Sequence, residues 1–264
     1  TPENWVNAVK KAGFRTAVWP LAFDADEATV CAYQRAAEEA DIVIAEVGIW
    51  NNPLAPDEHE RNTAIKKCEQ GLAIAEKIGA RCCVNIAGSR GQKWDGPHPD
   101  NLTEETFVLI VDTVRDIIDA VKPTSTFYAL EPMPWMYPDS ADSYLRLIKA
   151  INRPAFAVHF DPVNIISSPQ RVFNNRAFLL DCFQKLGPYI KSCHAKDIIL
   201  RETLTVHLDE VPPGQGTLDY ATYLTELNKL DADIPLIIEH ISQENMQPAI
   251  DTIRRVAEEN GIDL

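Results

Sequence analysis

Several features that would announce a specialised class of protein are missing from this chain. No stretch approaches the roughly 18–20 consecutive apolar residues of a membrane-spanning helix, and mean hydropathy is −0.18. A soluble protein without a membrane partner is therefore expected. None of the six cysteines, at positions 31, 68, 82, 83, 182 and 193, forms a CxxC pair. Reduced, mostly buried thiols are the reading they support, which favours a reducing compartment and a cytoplasmic location. The numbering starts at Thr1 rather than at a methionine, so a targeting segment could have been removed before it. Positive charge is also scarce. Lys and Arg total 25 against 39 Asp and Glu, for a net charge of −14 and a pI near 4.8. With no Lys/Arg cluster, such a chain repels phosphate backbones, which argues against a nucleic-acid partner. No linker, low-complexity tract or change of composition divides residues 1–264, so a single domain is expected.

What is present is a regular alternation. At 264 residues, with 45% hydrophobic and 24% charged, the chain is close to the roughly 250 residues of one (β/α)₈ barrel. Short apolar runs at 14–19, 42–47, 81–86, 126–130, 155–160, 190–194 and 235–239 read as strands. Segments of 3.6-residue period at 1–12, 27–40, 57–78, 103–121, 141–151, 176–186, 220–230 and 248–259 read as helices. Cys82 and Cys83 are adjacent in one predicted strand and should face opposite ways. The stretch 197–213 reads as a long loop. Seven strands and eight helices, beginning with a helix, predict an α/β fold, a (β/α)₈ TIM barrel whose first strand lies upstream of residue 1 and is absent from this sequence.

Four predicted strands end on a side chain that can hold a metal: Glu131, Asp161, His194 and Glu239. They lie 30, 33 and 45 residues apart, one per βα unit, so they fall on successive strands at the C-terminal rim, where barrel enzymes place their chemistry. A lone acid at a strand end is usually a helix cap or ion-pair partner. Four in register call for a cation, because three buried carboxylates cannot all stay ionised without one. One divalent ion is expected, with Mn²⁺ best suited to three oxygens and an imidazole, and Mg²⁺, Co²⁺ or Zn²⁺ as alternatives.

Leu130-Glu131-Pro132, Asp161-Pro162-Val163-Asn164, His194-Ala195-Lys196-Asp197, Gly214-Gln215-Gly216 and Glu239-His240 resemble the xylose-isomerase-like TIM-barrel superfamily. Within it they are most similar to the sugar phosphate isomerase/epimerase group, beside ketose 3-epimerases and inosose dehydratases, and more distantly endonuclease IV. The resemblance covers essentially the whole chain. It implies that Glu131, Asp161, His194 and Glu239 bind the ion and that the substrate is a small carbohydrate. Two departures stand out. Asn164 replaces a histidine usual in the ketose 3-epimerases, and the stretch between His194 and Gly214, with Arg201, His207, Asp209 and Glu210, is longer.

Other candidates each carry a structural alternative. Glu46 could bind a sugar hydroxyl or be a buried structural acid. Trp19, Trp50 and Trp135 could stack on a sugar face or pack the rim. Asn164, Lys196, Asp197 and His207 fall where substrate would be held, although Lys196 and Asp197 could equally pair with neighbours. His159 points the same way as Asp161 and should lie deeper. Gly214 and Gly216 are expected to shape a turn.

The predicted activity is metal-dependent isomerisation or epimerisation of a sugar or keto-sugar. Glu131 and Glu239 would serve as catalytic acid and base, moving a proton through a metal-stabilised enediolate. A lyase or dehydratase expelling a group β to the carbonyl, from an inosose or 3-keto-glycoside, is the alternative. A non-catalytic barrel subunit is a further one. An endonuclease-IV-like nuclease is disfavoured, because Glu46, Asn51 and Asn85 stand where extra histidines would be needed. A homo-oligomer is left open.

Overall fold

Helix ends are written locally in this chain, and they set the lengths of the repeating units. The computed structural model describes residues 1–264. Thr1 caps α1 (Pro2–Lys11) by accepting from Asn4 N–H, and Asp26 caps α2 (Glu27–Glu39) in the same way through Thr29. Asp57 caps α3 (Glu58–Ile78), which ends on Gly79 at φ 68°, a left-handed conformation that costs glycine little. Thr103 caps α4 (Glu104–Val121), and Ser140 with Ser143 forms a capping box on α5 (Ala141–Ile151). Between these helices lie β1 (Thr16–Val18), β2 (Val43–Gly48), β3 (Cys82–Ile86), β4 (Tyr128–Glu131) and β5 (Phe156–Phe160).

The second half continues with α6 (Pro162–Ile165), α7 (Pro169–Phe173), α8 (Asn175–Leu186), β6 (Ile190–Ala195), β7 (Asp197–Arg201), β8 (His207–Val211), α9 (Tyr220–Leu227), β9 (Leu236–Ile238) and α10 (Gln243–Glu259). The main sheet is wholly parallel, in the order β1-β2-β3-β4-β5-β6-β9. This is a TIM-barrel sheet with seven of its eight strands, open between β1 and β9. A cavity of about 440 Å³ lies along that opening, away from the strand-end carboxylates. It is lined by Phe14, Leu227, Leu230, Ile234, Leu236 and Ile253, among others. No helix is long and apolar enough to cross a membrane.

Strand periodicity divides the side chains into two environments. Cys83, Tyr128, Leu130, Val158 and Phe160 face outward into apolar layers packed under the helices. Cys82, Val84, Ala129 and Ala157 form a small inner cluster, so Cys82 and Cys83 do point to opposite faces. Small residues at those inner positions leave room above them for the polar groups at the strand ends.

Three expectations need correction. Residues 197–213 do not form a loop. β7 and β8 pair as an antiparallel hairpin from Asp197↔Val211 to Arg201↔His207, with Ile198, Leu200 and Leu208 packed on the core. The apolar triplet 198–200 lacks two-residue alternation, which hid the strand. α10 begins at Gln243 rather than at Pro248, and the proline sits inside it at the cost of one helical hydrogen bond. Two short helices, α6 and α7, fill the stretch after β5.

Candidate metal centre

Glu131, Asp161, His194 and Glu239 converge at the C-terminal ends of β4, β5, β6 and β9, with one donor atom of each within 4.8 Å of the others. Register explains the convergence. Leu130 pairs with Val158, Phe160 with Cys193, and His194 with Ile237, so Asp161 and His194 share a rung while Glu131 and Glu239 reach them from rungs two residues away, the stagger of a curled sheet. Tyrosines hold these strand ends from the helix side. Tyr144 on α5 donates to the carbonyls of Leu130 and His159 at 2.8 and 3.1 Å. On α9, Tyr223 donates to the His194 carbonyl at 2.9 Å and Tyr220 to that of Lys196 at 2.8 Å.

His194 Nδ1 lies 3.0 Å from Glu131 Oε1, 3.1 Å from Glu239 Oε2 and 3.4 Å from Asp161 Oδ2. Neighbouring donors on a six-coordinate ion with bonds near 2.1 Å are about 3.0 Å apart, so these spacings suit one small divalent cation. Two carboxylate oxygens of the cluster, Asp161 Oδ2 and Glu239 Oε2, are buried with no hydrogen-bond partner beyond their ion pairs with Lys196 and His194, and lie 3.4 and 3.1 Å from His194 Nδ1. Asp161 divides its work. Its Oδ1 caps α6 by accepting from the Val163 and Asn164 amides at 2.9 and 3.1 Å, which leaves Oδ2 for the cluster. The residues present fit a divalent ion.

Electrostatics in the chain alone show how much charge is gathered here. Burial pushes the Glu131 carboxyl up, partly offset by His194. Burial opposes charge on Asp161 too, but Lys196 and His194 outweigh it and hold Asp161 well below the usual carboxylate range. His194 is likewise penalised by burial, yet Asp161 and Glu131 raise it well above the ordinary histidine value. Lys196, 2% exposed, reaches into the same cluster, with Nζ 2.9 Å from Asp161 Oδ2 and 2.7 Å from Glu239 Oε2. Burial works against its charge, and the surrounding carboxylates override that and raise it. Asn164 donates from Nδ2 to Glu131 Oε1 at 3.0 Å, fixing the orientation of that carboxylate.

Other predicted site residues lie elsewhere. Glu46 is buried one layer below, its Oε2 3.4 Å from both Ser192 Oγ and His159 Nδ1. His159 is fully buried as expected, its ring 4.0 Å from that of His194, and neither of its nitrogens has a hydrogen-bond partner. Burial raises the Glu46 carboxyl to about 7 and lowers His159 well below the usual value. Asp197 is not brought to the cluster. Its oxygens accept four backbone N–H groups, from Ile198, Gly214, Gly216 and Leu218, at 2.8–3.0 Å. Gly216 approaches so closely that an added Cβ would stand 2.3 Å from Asp197 Oδ1, so the two glycines do shape a turn. His207 is exposed opposite Arg201 at the far end of the hairpin, also away from the cluster. Trp135 ties loops together by donating to the Asp95 carbonyl at 2.8 Å, while Trp50 is 37% exposed after β2. Trp19 packs edge-on against Trp5 and Tyr33.

Two residues went unassigned in sequence. Glu210 on β8 lies 3.5 Å from Lys196 Nζ, and His240 bridges it to the cluster, 3.1 Å from Glu210 Oε1 and 3.5 Å from Glu239 Oε1. The dipeptide Glu239-His240 offered a signal for the histidine. Glu210 had none while its strand read as a loop.

The seven-stranded parallel sheet with metal-competent residues at its C-terminal rim defines the class, and sequence comparison specifies it. Residues 6–259 match the xylose isomerase-like TIM barrel family, and the chain belongs to it. A probable L-ribulose-5-phosphate 3-epimerase from Mycoplasma pneumoniae is 26% identical over 190 residues, which cover 72% of this chain and 55% of that protein. The matches span 55–65% of the length of the curated relatives. A xylose isomerase-like TIM-barrel protein from Mycobacterium smegmatis, solved with magnesium, superposes with a TM-score of 0.70 at 14% identity, covering 98% of this chain and 88% of that one. A probable 3-DHS dehydratase from Bacillus anthracis superposes at 0.72 with 17% identity, covering 97% and 93% of the two chains.

Proposed function

We propose that this chain is a divalent-metal-dependent isomerase or epimerase acting on a sugar or keto-sugar. The observation that carries it is the pair of carboxylates, Glu131 and Glu239, delivered from two non-adjacent strands to within 3.1 Å of His194 Nδ1. An ion held by Glu131, Asp161, His194 and Glu239 supplies a Lewis acid for a carbonyl oxygen and its neighbouring hydroxyl, which acidifies the carbon-bound proton between them. One of the two glutamates takes that proton and the other returns one. Asn164 holds the Glu131 carboxylate in place and carries no titratable proton of its own. The epimerase name of the Mycoplasma relative supports the reading.

Three carboxylate oxygens and one imidazole make Mn²⁺ our first choice of ion, ahead of Mg²⁺, Co²⁺ and Zn²⁺. Six free cysteines, five of them buried, are in keeping with a cytoplasmic enzyme. A lyase would share the proton abstraction. The ammonium of Lys196, 2.7 Å from Glu239, favours this second reading, because it offers a proton to an oxygen leaving from the β position. Incubation with ketoses and with keto-glycosides separates the two by product. Glu131→Gln should abolish solvent-deuterium incorporation at the carbon beside the carbonyl while Mn²⁺ is still taken up. Undiminished exchange would refute the role of Glu131, and a chain that takes up no metal would favour a non-catalytic barrel.

A further inference from the structure

Lys196 is an unusual neighbour for a cation site. Strand periodicity sends it inward, two residues after His194, and its Nζ is within 3.8 Å of all three carboxylates of the cluster. On the outward side the same ammonium meets Glu210 at 3.5 Å, an exposed residue whose carboxylate is held in turn by His240. Lys196 thus has two anionic stations, one inner and one outer. We infer that Lys196 sets the affinity and charge preference of the metal centre, with Glu210 as the station to which its ammonium withdraws when a cation binds. This rests on the ion-site reading above and says what governs that site.

The argument is one of charge. Glu131, Asp161 and Glu239 bring three negative charges, and Lys196 cancels one of them. The two that remain match a divalent ion and leave a trivalent ion uncompensated. An ion between Asp161 and Glu239 repels an ammonium that otherwise sits 2.7–2.9 Å from their oxygens. A buried lysine cannot leave its partners without another, and Glu210, already 3.5 Å from Nζ, provides one within a short movement of the ammonium. Glu210 therefore favours ion binding by acting on Lys196, not by touching the ion.

The test is a titration of the whole chain with Mn²⁺, followed calorimetrically, and with Tb³⁺, followed by luminescence. It uses wild type, Lys196→Met, Glu210→Gln and the double variant. Removing a unit charge about 4 Å from the ion should tighten Mn²⁺ by at least about tenfold in Lys196→Met and tighten Tb³⁺ by a larger factor. Glu210→Gln should weaken Mn²⁺ by about three- to tenfold in the wild-type background and have little effect once Lys196 is gone, a coupling that independent charges would not show. Lys196→Gln serves if the methionine variant does not fold. Mn²⁺ binding that is unchanged or weaker in both neutral variants, or an equal Glu210→Gln effect in both backgrounds, would overturn the inference. A wild-type chain that binds neither ion would remove the ion-site reading along with it, whereas normal wild-type binding without these shifts sinks this inference alone.

Discussion

Glu46 gives the sharpest test of how this barrel handles buried charge. It is 3% exposed, and its carboxyl is raised from 4.5 to about 7, first by burial and only partly offset by His194 and Ser192. A carboxyl whose folded pKa exceeds its unfolded value contributes fully to stability below the unfolded pKa, and that contribution is lost as pH rises through the folded one. The window is therefore pH 4.5 to 7. At about 1.4 kcal/mol per unit, ionising Glu46 inside the protein costs about 3 kcal/mol above pH 7 relative to pH 4. Glu46→Gln keeps the volume and a partner for Ser192 Oγ while removing the charge. In metal-free buffer the variant should be more stable than wild type by up to about 3 kcal/mol at pH 8, a rise of roughly 6–12 °C in melting temperature for a chain of this size. The advantage should shrink toward zero near pH 4. Thermal unfolding followed by circular dichroism at pH 4, 6 and 8 measures it. A variant less stable than wild type at pH 8, or a difference that does not change with pH, would refute the reasoning.

Three further outcomes are expected. His194 is held protonated by Asp161 and Glu131, and binding an ion must remove that proton. Mn²⁺ uptake should therefore release protons and tighten as pH rises, which calorimetry in buffers of different ionisation enthalpy detects; uptake without proton release contradicts it. Gly216→Ala forces a Cβ to 2.3 Å from Asp197 Oδ1 and 2.5 Å from the Ile198 carbonyl, and should destabilise by about 1–3 kcal/mol in denaturant titration. Tyr144→Phe strips a shared donor from two buried carbonyls at the rim, at a cost of about 1–3 kcal/mol, and should weaken Mn²⁺ binding because it loosens the strands carrying Glu131 and Asp161.

The repeating units were largely legible because each carries its signals within a few residues. Asp57 and Gly79 mark the two ends of α3, and Ser140 opens α5. The four ligand candidates were legible for a related reason, since each follows directly on an apolar residue at the end of a strand-like run, about one βα unit or more from the next. The hairpin was not. Ile198, Ile199 and Leu200 present no alternation, and their partners at 207–211 are mostly charged or exposed, so nothing local distinguishes a pairing that the core beneath Leu200 and Leu208 stabilises. Glu210 disappeared with it.

The centre divides along the same line. By itself the sequence picked out four cation-competent candidates and determined that they share one rim, because a period of about one βα unit returns the chain to the same end of the sheet. Only the tertiary structure decided their company. Asp197 looked as available as Lys196, yet four backbone amides from a turn closed by Gly214 and Gly216 absorb its charge, while Lys196 enters the carboxylate cluster. Glu46 looked like a rim residue, yet strand stagger sets it a layer lower beside His159. The physical reason is that reactivity here depends on which charges are buried within about 4 Å of one another, a distance set by packing between strands far apart in the chain.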